Sequence, residues 1–478
     1  MKATTPGFFG LLRCPECGHD LAYGPIPQHD DIAGDCGLLR CACFAFPVLD
    51  GIPIFRKNHV AHRSIADDLV VAGGPTTETI VAQIEAGDGV AALLDLLAFP
   101  VCPWPLNRIS VLRSFSHREP HRALGLAFRK RRLRRMLARR DELTAEDWLD
   151  AFYWHSPVPF DPFNYFFFRY GQPRHLAALA LLATLPARNK PVLDLACGYG
   201  HMLHYLTICS ARHTALGLDQ NFHQLWVAKH YVAPGANFVC ADADQPLPFK
   251  DGTLAATVCA DAFHYFTNKT RCVAEMRRCS KGGTIMLTGA SNRLMPPEED
   301  QECTPDEYGA LLDPWPYRVR GEAEIVDVYL KKNGADLSAP AVSEDAAESK
   351  WLYLVATEDE AILRKHGLMP EWPHAVGKLE INPLYTQRRR DEAIDLTFRF
   401  PSPWYAFENE RMAEYLPASV ALDAATLGDL RQGRRTRRVE PLIAQVVALG
   451  LPLRYARPSG RPWTMKANRA LTFFLSRT

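Results

Sequence analysis

The chain has no apolar run long enough to cross a bilayer, and its N-terminus lacks the pattern of a signal peptide. The longest candidate, His175 to Leu185, is helix-sized and ends in Pro186. A cytoplasmic protein with no membrane partner is therefore expected. Net charge is almost absent as well. The chain's 55 Lys and Arg face 54 Asp and Glu, so it lacks the overall cationic field common among nucleic-acid binders, although a local basic patch remains compatible. No internal repeats are present. Disulfide-like spacing is missing too: five of the 13 cysteines crowd into the first 43 residues and the rest are scattered, which suits a reducing compartment. At 478 residues, 47% of them apolar, the chain has the balance expected of a soluble globular protein and is too long for one hydrophobic core.

What is present divides the chain into four regions. Residues 1–58 form a compact unit carrying Cys14-Pro-Glu-Cys17, then Cys41-Ala-Cys43, then Phe46-Pro-Val-Leu-Asp-Gly-Ile-Pro53. Residues 59–160 read as a mainly helical insert with one strongly basic segment, Arg129 to Arg140. Residues 161–358 alternate short apolar runs with amphipathic ones, the pattern of a parallel sheet covered by helices. Strands are expected at 192–195, 215–219, 238–241, 257–261 and 284–287, with helices starting near Gly200, Asn221 and Asn268. Thr304-Pro-Asp-Glu307 reads as a capping box, another helix is expected near Glu322, and Trp351–Ala356 as a buried strand that closes the sheet. Residues 359–478 turn Arg- and Pro-rich, with an apolar helix expected near Pro441–Leu449, and carry no motif with an assignable mechanism.

The central motif is Val192-Leu-Asp194-Leu-Ala196-Cys-Gly198-Tyr-Gly200-His201. A buried strand ends at an acidic residue, and a turn of small residues opens a helix, which lets backbone approach a nucleotide-like ligand closely. A dinucleotide turn needs a further glycine where Leu203 stands, so this turn suits a ligand without phosphates. Asp219, 25 residues after Asp194, closes the next strand, where a carboxylate grips ribose hydroxyls. Asp242 follows the third strand, placed to accept from an exocyclic amine.

These residues resemble class I S-adenosylmethionine-dependent methyltransferases. Asp194 to Gly200 is similar to their first motif, Gly217-Leu-Asp219 to the second, and Asp242-Ala243 with Leu247-Pro-Phe249 to the third. Asp261-Ala-Phe-His264-Tyr265 and Glu275-Met-Arg-Arg278 with Lys281-Gly-Gly283 resemble the fourth strand and the turn before the fifth. Ala196 stands where the family usually has its first glycine, and Leu254-Ala255 where a Phe-Asp pair is frequent. The resemblance implies a doubly wound, seven-stranded Rossmann-like α/β sheet. It also implies that Asp194, Ala196, Gly198 and Gly200 hold the methionine part of the cofactor, Asp219 with Gln220 the ribose, and Asp242 with Ala243 the adenine. Asp261 is a further cofactor contact on the same grounds.

A sulfonium methyl is already activated, so the enzyme mainly has to align the acceptor, with a general base for a hydroxyl or ammonium nucleophile. His264 is the candidate base; a hydrogen bond inside the fold, toward Glu275, is the alternative. Tyr165, Phe168, Arg169 and Tyr170 form an aromatic entry segment that either closes over the site or belongs to the core. Cys14, Cys17, Cys41 and Cys43 offer four thiolates for one structural zinc, with Cys36 as an alternative ligand. The segment around them resembles the zinc-ribbon family of the tRNA and protein methyltransferase activator, with one residue rather than two in its second knuckle. Three functions remain: methyl transfer to an O or N of a small molecule or peptide-like acceptor; methylation of RNA through the ribbon and basic helix; and a non-catalytic cofactor-binding or assembly role. Oligomeric state is not legible.

Overall fold

The computed structural model describes residues 6–58, 60, 74–98, 119–153, 162–187, 189–208, 214–296, 302–338, 340–391 and 393–457. Four short strands near the N-terminus, β1 (Ala22–Pro25), β2 (Gly37–Arg40), β3 (Ala45–Leu49) and β4 (Ile52–Phe55), form an antiparallel meander. Its last turn is Asp50-Gly51, both with positive φ (51° and 67°), the conformation that suits a two-residue hairpin. The central strands follow: β5 (Val192–Leu195), β6 (Ala215–Asp219), β7 (Asn237–Ala241), β8 (Ala256–Ala260) and β9 (Thr284–Ser291). β10 (Tyr317–Gly321) and β11 (Trp351–Thr357) complete the sheet.

The expected strands and helix starts are all found close to their expected positions, although β9 runs on to Ser291. Thr304 and Glu307 make the reciprocal capping box. The strand order β7-β6-β5-β8-β9-β11-β10 is doubly wound, with β11 antiparallel to both neighbours. The seven-stranded sheet does not end there, however. β4 pairs parallel with β7, so the N-terminal meander continues the same sheet to eleven strands. Strands β5 and β6 are buried at every position, the mark of strands covered on both faces. Gly217 in β6 has no room for a side chain: a Cβ there lies 2.6 Å from Leu203 Cδ1 and 2.8 Å from Cys197 Sγ.

The region expected to be helical holds Thr77–Glu85, Gly89–Ala98, Glu119–Leu137 and Ala145–Tyr153. Leu133 and Leu137 are buried and turn the basic helix's apolar face inward. Several charges of the basic segment have local partners: Lys130 pairs with Asp95, Arg139 with Glu142, and Arg140 Nη1 donates to Ile32 O at 2.7 Å. The C-terminal region adds β12 (Lys378–Ile381), β13 (Tyr385–Arg390), β14 (Ala393–Phe398), β15 (Ser419–Leu422) and β16 (Ala448–Leu451). In place of an apolar helix over 441–449, the helix stops at Ala444. Val446 is left-handed (φ 57°), and the following residues pair as β16 with β12. Leu384, Tyr385, Tyr405 and Leu449 belong to the same apolar cluster as Leu176 and Trp226, so the C-terminal region packs into the central core.

Candidate functional site

Six strands run parallel, β4-β7-β6-β5-β8-β9, and their carboxyl ends line one edge, where ligands of doubly wound sheets bind. The turn after β5 is built from left-handed residues: Ala196 (φ 59°), Gly198 (φ 52°) and Gly200 (φ 75°). Ala196 stands there at a cost of about 1–2 kcal/mol against glycine, a strain that functional turns often carry. At Gly198 a notional Cβ makes ordinary van der Waals contact with Gln224 Oε1 and Phe166 Cε1, each at 3.6 Å, so it is the left-handed backbone rather than crowding that favours glycine there.

Asp219 at the end of β6 accepts from Gly198 N (3.0 Å) and Asn221 N (2.8 Å), which locks the two turns together. Burial outweighs these bonds and pushes its carboxyl up to about 6. Asp194 is buried, and its Oδ1 has no hydrogen-bond partner among the described residues. Burial, then the neighbouring Asp219, push it up to about 8. A buried, unpartnered carboxyl beside a second one is a place where a cation is strongly favoured. Asp242 Oδ1 accepts from Asp244 N at 3.0 Å, and Ala243 is buried beside it. Gln220 faces the third strand through its carbonyl, which accepts from Cys240 Sγ at 3.5 Å.

Asp261, left-handed at φ 57°, is fully engaged. Tyr165 Oη and Arg169 Nη1 each donate to Oδ2 at 2.6 Å, and Arg174 Nη1 donates to Oδ1 at 3.2 Å. Burial opposes ionisation, but Arg174 and Arg169 hold the carboxyl down at about 2. Asp261 thereby ties the entry segment, residues 162–174, to the fourth strand. Phe166 of that segment packs edge-on against Tyr199, whose hydroxyl donates to Tyr153 Oη at 3.0 Å. Phe160 and Asp161, which precede the entry segment, lie outside the described residues.

His264 is buried next to Tyr265 (ring centroids 4.0 Å) and Trp351 (6.0 Å), and its Nδ1 has no hydrogen-bond partner among the described residues. Burial lowers its pKa to about 4, so the ring is neutral at physiological pH. The alternative bond to Glu275 is not made. Glu275 instead accepts from Leu247 N at 2.7 Å and from Arg278, holding the loop after the third strand. Trp351 is flanked by Arg174 (4.3 Å from the ring centroid) and Lys350 (5.1 Å), and Lys350 also lies 5.1 Å from Phe407. Tyr265 and Phe407 are 45% and 66% exposed, so this rim is open and aromatic. Sequence reasoning misses Trp351, Arg174 and Phe407 as site residues; nothing in their local pattern marks them, because the fold brings them together from three separate elements.

The four cysteines converge. The sulfurs of Cys14, Cys17, Cys41 and Cys43 lie within 4.8 Å of one another, with Cys14–Cys43 at 3.7 Å and Cys17–Cys41 at 3.9 Å. A tetrahedral zinc with Zn–S of about 2.3 Å needs sulfurs about 3.8 Å apart, so the set has the required size. Cys36 is not part of it. Its thiol is buried against Ala33 O at 3.6 Å, and burial pushes its pKa up to about 11, which removes it as an alternative ligand.

A family model described as a methyltransferase domain matches residues 193–288, the span that holds this turn and the strands around it. Among curated proteins, the chain is 32% identical over 127 residues to phthiotriol/phenolphthiotriol dimycocerosates methyltransferase 1 of Mycobacterium ulcerans, covering 26% of this chain and 45% of that protein. The Mycobacterium tuberculosis (strain ATCC 25618 / H37Rv) counterpart is 34% identical over 97 residues, covering 20% and 35%. The chain thus spans less than half the length of these relatives. Among solved structures, a TehB-like SAM-dependent methyltransferase from Corynebacterium glutamicum is 18% identical, with 38% of this chain and 86% of that one covered and a TM-score of 0.28. A chain from the complex of the Haloferax volcanii Trm112 methyltransferase activator with a methyltransferase is 20% identical (38% and 88% covered, TM-score 0.30). Over the matched residues the doubly wound α/β sheet has the Rossmann-like fold of a methyltransferase domain. Among the described residues no helix is long and apolar enough to cross a membrane.

Proposed function

We propose that the protein is an S-adenosylmethionine-dependent methyltransferase that acts on an oxygen or nitrogen of a small molecule or peptide-like acceptor. The observation that carries the cofactor is Asp194. Its buried Oδ1, without a hydrogen-bond partner among the described residues and close to the left-handed turn at Gly198, fits a ligand that brings a positive charge. Asp194 and the glycine turn would hold the cationic amino-acid end, Asp219 with Gln220 the ribose, and Asp242 with Ala243 the base. When bound, that cofactor supplies an activated methyl group. Asp261 acts at one remove, fixing Tyr165 and Arg169 over the site.

The acceptor enters past the rim of Tyr265, Trp351 and Phe407. His264 is read as the base: the ring is neutral, and its buried Nδ1, without a partner among the described residues, leaves it able to take a proton from an acceptor hydroxyl or ammonium that reaches it. The relatives' names specify dimycocerosates of a phthiotriol, which accords with an oxygen nucleophile. The RNA reading loses part of its footprint, because Lys130, Arg139 and Arg140 are committed to partners within the fold. For the cysteine cluster the reading is one structural zinc, which contributes to folding and takes no part in the chemistry.

Isothermal titration with S-adenosylmethionine and S-adenosylhomocysteine tests the assignment. Binding of both at roughly micromolar Kd is expected. Absence of binding by folded, metal-loaded protein would favour the non-catalytic assembly role.

A further inference from the structure

The third strand-end carboxylate has a partner that comes from the N-terminal meander. β4 and β7 are parallel and in register, with Phe55 opposite Ala241, so the residues that follow, Arg56 and Asp242, leave the sheet side by side at the ligand edge. Arg56 Nη1 lies 3.3 Å from Asp242 Oδ2, with the arginine side chain 13% exposed and the aspartate 35%. The backbone at Arg56 is held in place: Thr77 Oγ1 donates to its carbonyl at 2.5 Å, and Asn58 O, two residues on, accepts from Thr77 N at 2.7 Å. Next to it Lys57 pairs with Glu16, the residue between the first two cysteines of the cluster, at 2.6 Å.

We infer that Arg56 is a positioning residue of the cofactor's nucleoside site, contributed by the cysteine-bearing N-terminal unit and acting through Asp242. The inference rests on the methyltransferase reading above. Asp242 Oδ1 is turned by the Asp244 N–H and Oδ2 by Arg56, so the carboxylate has its orientation set before a ligand arrives. A carboxylate held in this way accepts from an exocyclic amine at the base edge and disfavours a carbonyl oxygen there, because two acceptors then face each other. The cation reaches this edge through the added parallel strand, which lies beyond β7 and outside the doubly wound sheet itself.

The test is a double-mutant cycle on S-adenosylhomocysteine binding, read by titration calorimetry on the full chain with its metal in place. Arg56→Ala should weaken binding roughly five- to tenfold, Arg56→Lys less, while Asp242→Asn should abolish the further effect of Arg56→Ala to within about twofold. Lys57→Ala, on the same strand end but directed at Glu16, should leave the affinity within about twofold of wild type. A purely structural role for Arg56 would weaken binding equally in the wild-type and the Asp242→Asn backgrounds and would lower the melting temperature to match; that result overturns the inference. So does an Arg56→Ala variant that binds as tightly as wild type while wild type binds well. Wild-type protein that binds no S-adenosylhomocysteine at all overturns the cofactor assignment and this inference with it. If Arg56→Ala fails to fold, Arg56→Lys against Asp242→Asn carries the same cycle.

Discussion

Asp194 makes a quantitative prediction about protons. In the ligand-free protein its carboxyl is pushed up to about 8, by burial first and then by Asp219. At pH 7 it is therefore about nine-tenths protonated. A cation delivered to its unpartnered Oδ1 returns the group to the ordinary carboxylate range, so binding at pH 7 should release close to one proton, roughly 0.9. The sign follows from the same shift. The free protein holds a proton that the complex does not, so affinity should rise with pH, by nearly tenfold per unit up to about 8. Asp219, raised to about 6, adds to the slope at the acid end. Above pH 8 the ligand's own α-amino group begins to lose its charge and the gain levels off. Between pH 6 and pH 8 the net increase should be roughly thirty- to a hundredfold. The assay is calorimetric titration with S-adenosylhomocysteine in buffers of different ionisation enthalpy, repeated across that range. Asp194→Asn removes the main proton exchange and should show nearly buffer-independent heats at pH 7, a shallower pH slope and weaker binding at pH 8. Wild-type heats that do not depend on the buffer at pH 7, or an affinity flat from pH 6 to pH 8, would refute the placement of the cation against Asp194.

The same carboxyl gives the ligand-free protein an alkaline weakness: a raised folded pKa means stability present at low pH and lost as pH climbs toward about 8, so S-adenosylhomocysteine should raise the melting temperature more at pH 8 than at pH 6. If His264 is the base, its depressed pKa of about 4 keeps it neutral far into the acid range. The acid limb of the chemical step should then fall near pH 4 rather than near 6.5, and His264→Gln should lower kcat with little change in cofactor affinity. An acid limb at 6.5, or unchanged kcat in the variant, would leave His264 a packing residue. Purified protein should carry about one zinc, lost in Cys14→Ser and retained in Cys36→Ser, as measured by elemental analysis; metal-free, fully folded protein would count against the site.

The parallel sheet is legible in the sequence because its signals are local. Buried strands ending in Asp194, Asp219 and Asp242, each followed by a turn or helix start, can be recognised one segment at a time. The cysteine pairs are legible for the same reason, since two close spacings define the ligand set; only the choice between Cys36 and its neighbours needs the three-dimensional arrangement. What cannot be read is anything decided by pairing between distant segments. Nothing about Ile52–Phe55 says that it will lie parallel to β7 rather than end a free-standing ribbon, so the eleven-stranded sheet and the Arg56–Asp242 pair are out of reach. The stop at Ala444 escapes because an apolar run of this length reads equally as helix or strand, and its pairing with β12, about 70 residues earlier, decides the matter.

The C-terminal region, without any motif, bears on the site through three tyrosines. Residues 166–171 bridge two helices at the mouth of the site, and such a bridge leaves backbone carbonyls that no regular ladder satisfies. Tyr455 Oη donates to Phe166 O (2.9 Å) and Phe167 O (3.0 Å), Tyr405 Oη to Phe168 O (3.1 Å), and Tyr415 Oη to Gly171 O (2.7 Å). All three hydroxyls come from residues 405–455 and reach the same short stretch of chain. A stretch that needed only to be covered would have been covered by apolar side chains, whereas here each of these carbonyls is met by a donor. The entry segment is thus held from two sides. Asp261 grips its side chains Tyr165 and Arg169 from within the sheet, and the C-terminal tyrosines grip its backbone from outside. That arrangement places Phe166 against the glycine turn without relying on the segment's own propensity. Tyr405, Tyr415 and Tyr455 therefore hold the wall of the candidate site in place, with Phe166 packed edge-on against Tyr199 of the glycine turn.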